Sequence, residues 1–62
     1  MARPKCKLTG ADGNIYNLMR ITSKTLKAAG LEKKANEMVD RILKSKSYDE
    51  ALRIIMEYVE VE

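Results

Sequence analysis

Few side chains in this sequence are of the kinds that do chemistry in enzymes. There is no histidine, and Cys6 is the one cysteine. Histidine is the usual proton shuttle and metal ligand near neutral pH. A thiol becomes a nucleophile when a neighbouring base or cation draws off its proton. Cys6 has no histidine to do this, and it alternates with Lys5 and Lys7 onto the apolar side of its segment. It therefore reads as a packed thiol. The acids fall at helix-surface spacings, not as a facing pair. Gly10-Ala11-Asp12-Gly13 puts two glycines ahead of a helix, where backbone amides could meet an anion. Asp12 sits inside that loop, and the lysine and hydroxyl of a phosphate-binding loop are missing after it. A calcium loop fails too, because aligning Gly13 with its invariant glycine sets Leu8 and Met19 at ligand positions. The expectation is a non-enzymatic protein with no cofactor and no metal.

Charge and apolar excess are the remaining signals. Arg20, Lys24 and Lys27 stand at i, i+4 and i+7, and Lys33 and Lys34 follow soon after. Such a stripe can neutralise phosphates, and these five residues are the candidate nucleic-acid contacts. A merely solvated face is the plainer reading. Two features oppose a DNA reader. The third helix carries Asp49, Glu50 and Glu57, and no aromatic accompanies the stripe as a stacking platform. Ile54, Ile55 and Met56 are consecutive in that helix, so one of them must face outward. Ile54, Met56 and Tyr58 are the candidate interface. The function expected is that of a small interaction or accessory protein, acting through self-association as a dimer or through another protein partner. The alternative is a weak nucleic-acid binder using the first helix.

Sixty-two residues allow one domain. A hydrophobic fraction of 45% beside a charged fraction of 34% suits a folded chain. Tyr16, Tyr48 and Tyr58 are its only aromatics, so aliphatic side chains and Met must fill the core. A lone cysteine excludes an internal disulfide, and no apolar run is long enough for a signal peptide or a membrane span. A cytoplasmic protein without membrane contact is expected. The net charge of +3 is divided unevenly. Residues 1–34 set eight bases against Asp12 and Glu32, while residues 35–62 set four bases against seven acids. The two halves can attract each other, or the first can meet an acidic partner.

The elements that must position these residues are legible in turn. Residues 1–4 read as a short tail and 5–62 as a single small helical domain. Lys5-Cys6-Lys7-Leu8-Thr9 alternates at period two, as a half-buried strand does. After the Gly10–Asn14 turn, Asp12 or Asn14 can cap a first helix whose stripe is Ile15, Leu18, Met19, Thr22, Leu26 and Ala29. Gly30 and Leu31 predict a Schellman stop, with Leu31 against Leu26. A second helix runs to about Lys44 with Leu31, Ala35, Met38, Val39, Ile42 and Leu43 inward. Lys33–Glu37, Glu37–Arg41 and Asp40–Lys44 can pair on its outside. Ser47-Tyr48-Asp49-Glu50 is a capping box, with Ser47 bonding the Glu50 amide and Glu50 reaching back to the Ser47 amide. It opens a third helix with Tyr48, Ala51, Leu52, Ile55 and Val59 inward, and with Asp49–Arg53 and Arg53–Glu57 outside. Tyr58-Val59-Glu60-Val61-Glu62 alternates again. Lys5 and Lys7 would meet Glu60 and Glu62 on a wet face, over an inner face of Cys6, Leu8, Val59 and Val61. The predicted fold is mostly α (small α+β), a three-helix domain with a two-stranded ribbon of its terminal segments, β-α-α-α-β. Strand direction stays open.

Lys7-Leu8-Thr9-Gly10, Asp12-Gly13-Asn14 and the tail from Tyr48-Asp49 to Met56-Glu57-Tyr58-Val59-Glu60-Val61-Glu62 carry a resemblance. Together they resemble a group of small bacterial and phage-associated proteins of unknown function, over nearly the whole chain from Lys5. Ile15-Tyr16-Asn17-Leu18-Met19 departs from the Phe- and Ala-rich pattern of that group. The resemblance implies no activity and assigns no functional residue.

Overall fold

The computed structural model describes residues 3–8, 10 and 13–62. Thr9 as a strand residue and Asp12 as a helix cap lie outside those residues. The order is β1 (Lys5–Cys6), α1 (Ile15–Ala28), α2 (Glu32–Leu43), α3 (Tyr48–Tyr58) and β2 (Glu60–Val61). The chain is thus mostly α, with its two terminal segments joined in one ribbon.

Local chemistry sets the helix ends. Asn14 is extended, and its Oδ1 accepts from the Tyr16 amide at 2.9 Å, which caps α1. Gly30 closes α1 at φ +79°, a region costly for a residue with a Cβ. The Leu31 amide then donates to the Leu26 carbonyl at 2.8 Å, and the Gly30 amide to Lys27 at 3.0 Å, the two bonds of the Schellman motif. Ser47 Oγ accepts from the Glu50 amide at 3.1 Å and opens α3. The reciprocal half of the expected box is displaced by one residue. The Glu50 carboxylate accepts from the Lys46 amide at 3.4 Å, not from Ser47. Beyond Tyr58 the backbone turns extended at Val59, φ −136° and ψ 156°, as its β-branched side chain favours.

β1 and β2 are parallel, with Lys5 opposite Glu60 and Cys6 opposite Val61. A parallel pair needs a long crossover, and the three helices supply it. The Glu60 amide donates to Pro4 and the Glu62 amide to Cys6, each at 2.9 Å, and the Leu8 amide donates to Glu62 at 3.1 Å. Lys5 Nζ lies 3.9 Å from a Glu62 carboxylate oxygen on the wet face. Pairing therefore begins at Pro4, inside the expected tail. Arg3 is tied in as well, its guanidinium donating to the Met56 carbonyl.

Leu18, Leu26, Ala35, Met38, Ile42, Ala51, Ile54, Ile55 and Val59 form the core, and Cys6 closes it from the ribbon. Cys6 Sγ lies 3.9 Å from Thr22 Oγ1 and 3.5 Å from Thr25 Oγ1. Thr22 is fully buried, and its hydroxyl donates to the Leu18 carbonyl at 2.8 Å. Four inward assignments differ from the structure. Ala29, Leu43 and Tyr48 are exposed, because each sits at the end of its helix beyond the overlap of the neighbouring helices. Val61, opposite buried Cys6, is 43% exposed because β2 runs out at the rim of the helical cover. No helix among the described residues is long and apolar enough to cross a membrane.

Candidate functional site

The basic stripe is built by α1 alone. Arg20, Lys24 and Lys27 are all exposed, on the side away from buried Leu18, Thr22 and Leu26. The helix contains no carboxylate. On α2 and α3, by contrast, some cations are matched along the helix. Lys44 lies 3.1 Å from Asp40, and Arg53 lies 3.6 Å from Asp49. Among the described residues, none of Arg20, Lys24, Lys27, Lys33 and Lys34 forms an ion pair. Lys33 and Lys34 are exposed in the first turn of α2.

The stripe does have an aromatic companion, contrary to the sequence expectation. Tyr16 is one helical turn before Arg20 and is 63% exposed, the most open large apolar side chain described. A hollow of about 380 Å³ lies beside it, lined by Asn14, Tyr16, Asn17 and Arg20. Arg20 Nη2 donates to Asn17 Oδ1 at 3.5 Å. The spacing from Tyr16 to Arg20 was readable in the sequence, but the ring's outward position was not.

Tyr16 also borders the end of the bundle where α1 begins, α2 stops and α3 begins. A second hollow there, about 260 Å³, is lined by Ile15, Tyr16, Ile42, Leu43 and Tyr48 among others. Leu43 is 60% exposed. The Tyr48 hydroxyl donates to the Gly13 carbonyl at 2.6 Å, which holds the start of α3 against the approach to α1. Lys46 also lines this hollow.

The candidate interface on α3 divides. Ile54 is 6% exposed and belongs to the core, so contrary to expectation it offers no contact surface. α3 packs on α1, α2 and β2 together, which makes its buried arc wide enough for both Ile54 and Ile55. Met56 is the residue that faces outward, at 48% exposure. Tyr58 is half-buried, and its hydroxyl is engaged. It donates to Glu37 Oε2 at 2.6 Å and accepts from Arg41 Nη1 at 3.2 Å. Arg41 also pairs with Glu57 through two bonds of 3.0 Å and stands 5.7 Å from the centre of the Tyr58 ring. The expected Glu37–Arg41 and Arg53–Glu57 pairs give way to these links between helices. A bidentate guanidinium–carboxylate pair outcompetes a flexible pair along one helix.

This network borders a groove of about 610 Å³, whose apolar wall includes Pro4, Leu26 and Leu31. Its electrostatics favour fixed protonation states. Hydrogen bonding to Arg41 holds the Glu57 carboxyl below its ordinary range. Burial first, then the bond to Glu37, pushes the Tyr58 phenol up, while Arg41 itself is raised by its bonds to Glu57 and Tyr58. Glu57 thus stays charged and Tyr58 neutral near pH 7, which suits a structural tie better than proton transfer. No group of three His, Cys, Asp or Glu among the described residues could hold a metal ion.

The terminal ribbon offers two outer edges, but the charges they carry work against a two-fold pairing of either. An axis at β1 would set Lys5 and Lys7 against their copies, and one at β2 would set Glu60 and Glu62 against theirs. Like charges directly opposite destabilise a strand pair. Comparison with known proteins finds no matching family model, no matching curated protein and no matching solved structure.

Proposed function

We propose that this chain is a non-enzymatic interaction protein that acts through a protein–protein surface at the end of the bundle around Leu43, with a second copy of itself as partner. The observation that carries the reading is the convergence of Tyr16, Leu43 and Tyr48 on one hollow. Large apolar side chains gathered in one exposed place mark contact sites, whereas a single one does not. Apolar side chains dominate the lining, and an apolar patch is complementary to itself, which supports a second copy as occupant. A two-fold axis brings each patch against itself, so Tyr16 and Leu43 of one copy can cover those of the other. Association would also enlarge the apolar interior of a chain whose length limits it.

Sedimentation equilibrium from micromolar to millimolar protein tests this reading. The apparent mass should rise with concentration from the 7.0 kDa of the monomer toward twice that value. Leu43→Asp should hold it at the monomer mass with the helical circular dichroism unchanged. A wild type that stays at 7.0 kDa throughout overturns the reading.

A further inference from the structure

We propose that the outer face of α1 is a binding site for single-stranded nucleic acid, with Tyr16 as the stacking platform and Arg20, Lys24 and Lys27 as the phosphate track. This site shares Tyr16 with the self-association surface and extends from it along α1, away from Leu43. Three observations converge on it.

First, the four side chains share one face. Tyr16, Arg20, Lys24 and Lys27 follow at i, i+4, i+8 and i+11, all exposed and away from the buried face of the helix. At about 1.5 Å per residue the row is roughly 16 Å long, enough for a few consecutive nucleotides. Second, the cations of this face form no ion pair among the described residues. α2 and α3 intersperse carboxylates among their cations and form Asp40–Lys44 and Asp49–Arg53, but α1 has three cations and no carboxylate. A polyanion is the chemistry that completes it. Third, the aromatic ring selects the strand state. In a duplex each base face is covered by its neighbours, so an exposed phenol ring has nothing to stack on. An unstacked base offers a whole face. The hollow beside the ring, lined also by Asn14, Asn17 and Arg20, leaves room for such a base. An acidic protein segment would use the cations but has no comparable use for the ring and hollow together.

The test is fluorescence anisotropy with a labelled oligothymidylate of about 15 nucleotides, near the upper end of single-strand site sizes. A duplex of the same length and vesicles of anionic phospholipid serve as the competing partners. The expected result is micromolar binding to the single strand at low salt, tighter than to the duplex or the vesicles. Three phosphate contacts predict a slope of about −2 in log K against log salt. Tyr16→Ala should weaken binding about tenfold or more, the scale of one lost stack, and Tyr16→Phe should restore it. Lys24→Glu with Lys27→Glu should remove most of it. Leu43→Asp should leave it intact even if it abolishes self-association, so failure here and failure of the dimer are distinguishable. All these side chains are exposed, and circular dichroism checks that the variants keep their helices. No binding to the single strand at low salt overturns the proposal. So does equal binding to duplex or vesicles with no effect of Tyr16→Ala.

Discussion

Arg41 and Glu57 face each other across the contact between α2 and α3, joined by two nitrogen–oxygen bonds of 3.0 Å each. They belong to different helices, sixteen positions apart. With Tyr58 and Glu37 they make the polar seam that closes this side of the bundle.

That seam predicts a two-sided pH dependence. The folded Glu57 carboxyl titrates below its ordinary value of 4.5, so its contribution is present above that value. It is lost as the pH falls through the lower folded value. Tyr58 behaves in the opposite sense. Its folded value lies above the ordinary 10.0, so its contribution holds below pH 10.0 and is lost as the pH rises through the raised value. Urea midpoints measured across the pH range should show Glu57→Gln flattening the acid limb and Tyr58→Phe the alkaline limb. The acid effect should be small, because both members of the ion pair are exposed. A wild-type acid limb unchanged by Glu57→Gln refutes the assignment.

Gly30 is required by backbone shape. At φ +79° an added Cβ is strained even though the space around it is open. Gly30→Ala should cost about 1–2 kcal/mol of unfolding free energy, the price of left-handed backbone for an L-residue. Gly13 is the control, since its Cβ would meet the Tyr48 hydroxyl at an ordinary 3.7 Å and its φ is not in the left-handed region. Gly13→Ala should be nearly neutral. Equal losses in the two variants would show that the Schellman geometry is not what Gly30 supplies.

Met38 and Met56 should separate by the same chemical change. Met38 is fully buried, and Met38→Ala should cost about 2–5 kcal/mol. A chain of this length has roughly 3–9 kcal/mol of stability to lose. Met56 is exposed, and Met56→Ala should stay within about 0.5 kcal/mol. Ile54→Asp should unfold the chain, because Ile54 lies in the core. A folded Ile54→Asp protein would contradict its burial.

The sequence by itself determined the features that close within one turn of chain. Asn14 and Ser47 carry the acceptor that an orphan helix amide needs, and Gly30 with Leu31 carries the stop of α1. The alternation at both ends was enough to bring the termini together, because period-two patterning on an otherwise helical chain leaves them few other partners. The tertiary structure decided what depends on which faces meet. Strand direction followed from how three helices carry the chain back, and made the pair parallel. Arg41 took Glu57 in place of Glu37, since α3 brings a carboxylate into bidentate reach. Ile54 was buried because α3 packs on α1, α2 and β2 together, and Leu43 was left open because helix overlap ends before α2 does, matters of packing that no local pattern records. Tyr16 shares the spacing of Arg20, Lys24 and Lys27 in the sequence, but its role depends on exposure. Exposure is settled only when every neighbouring element has taken its place.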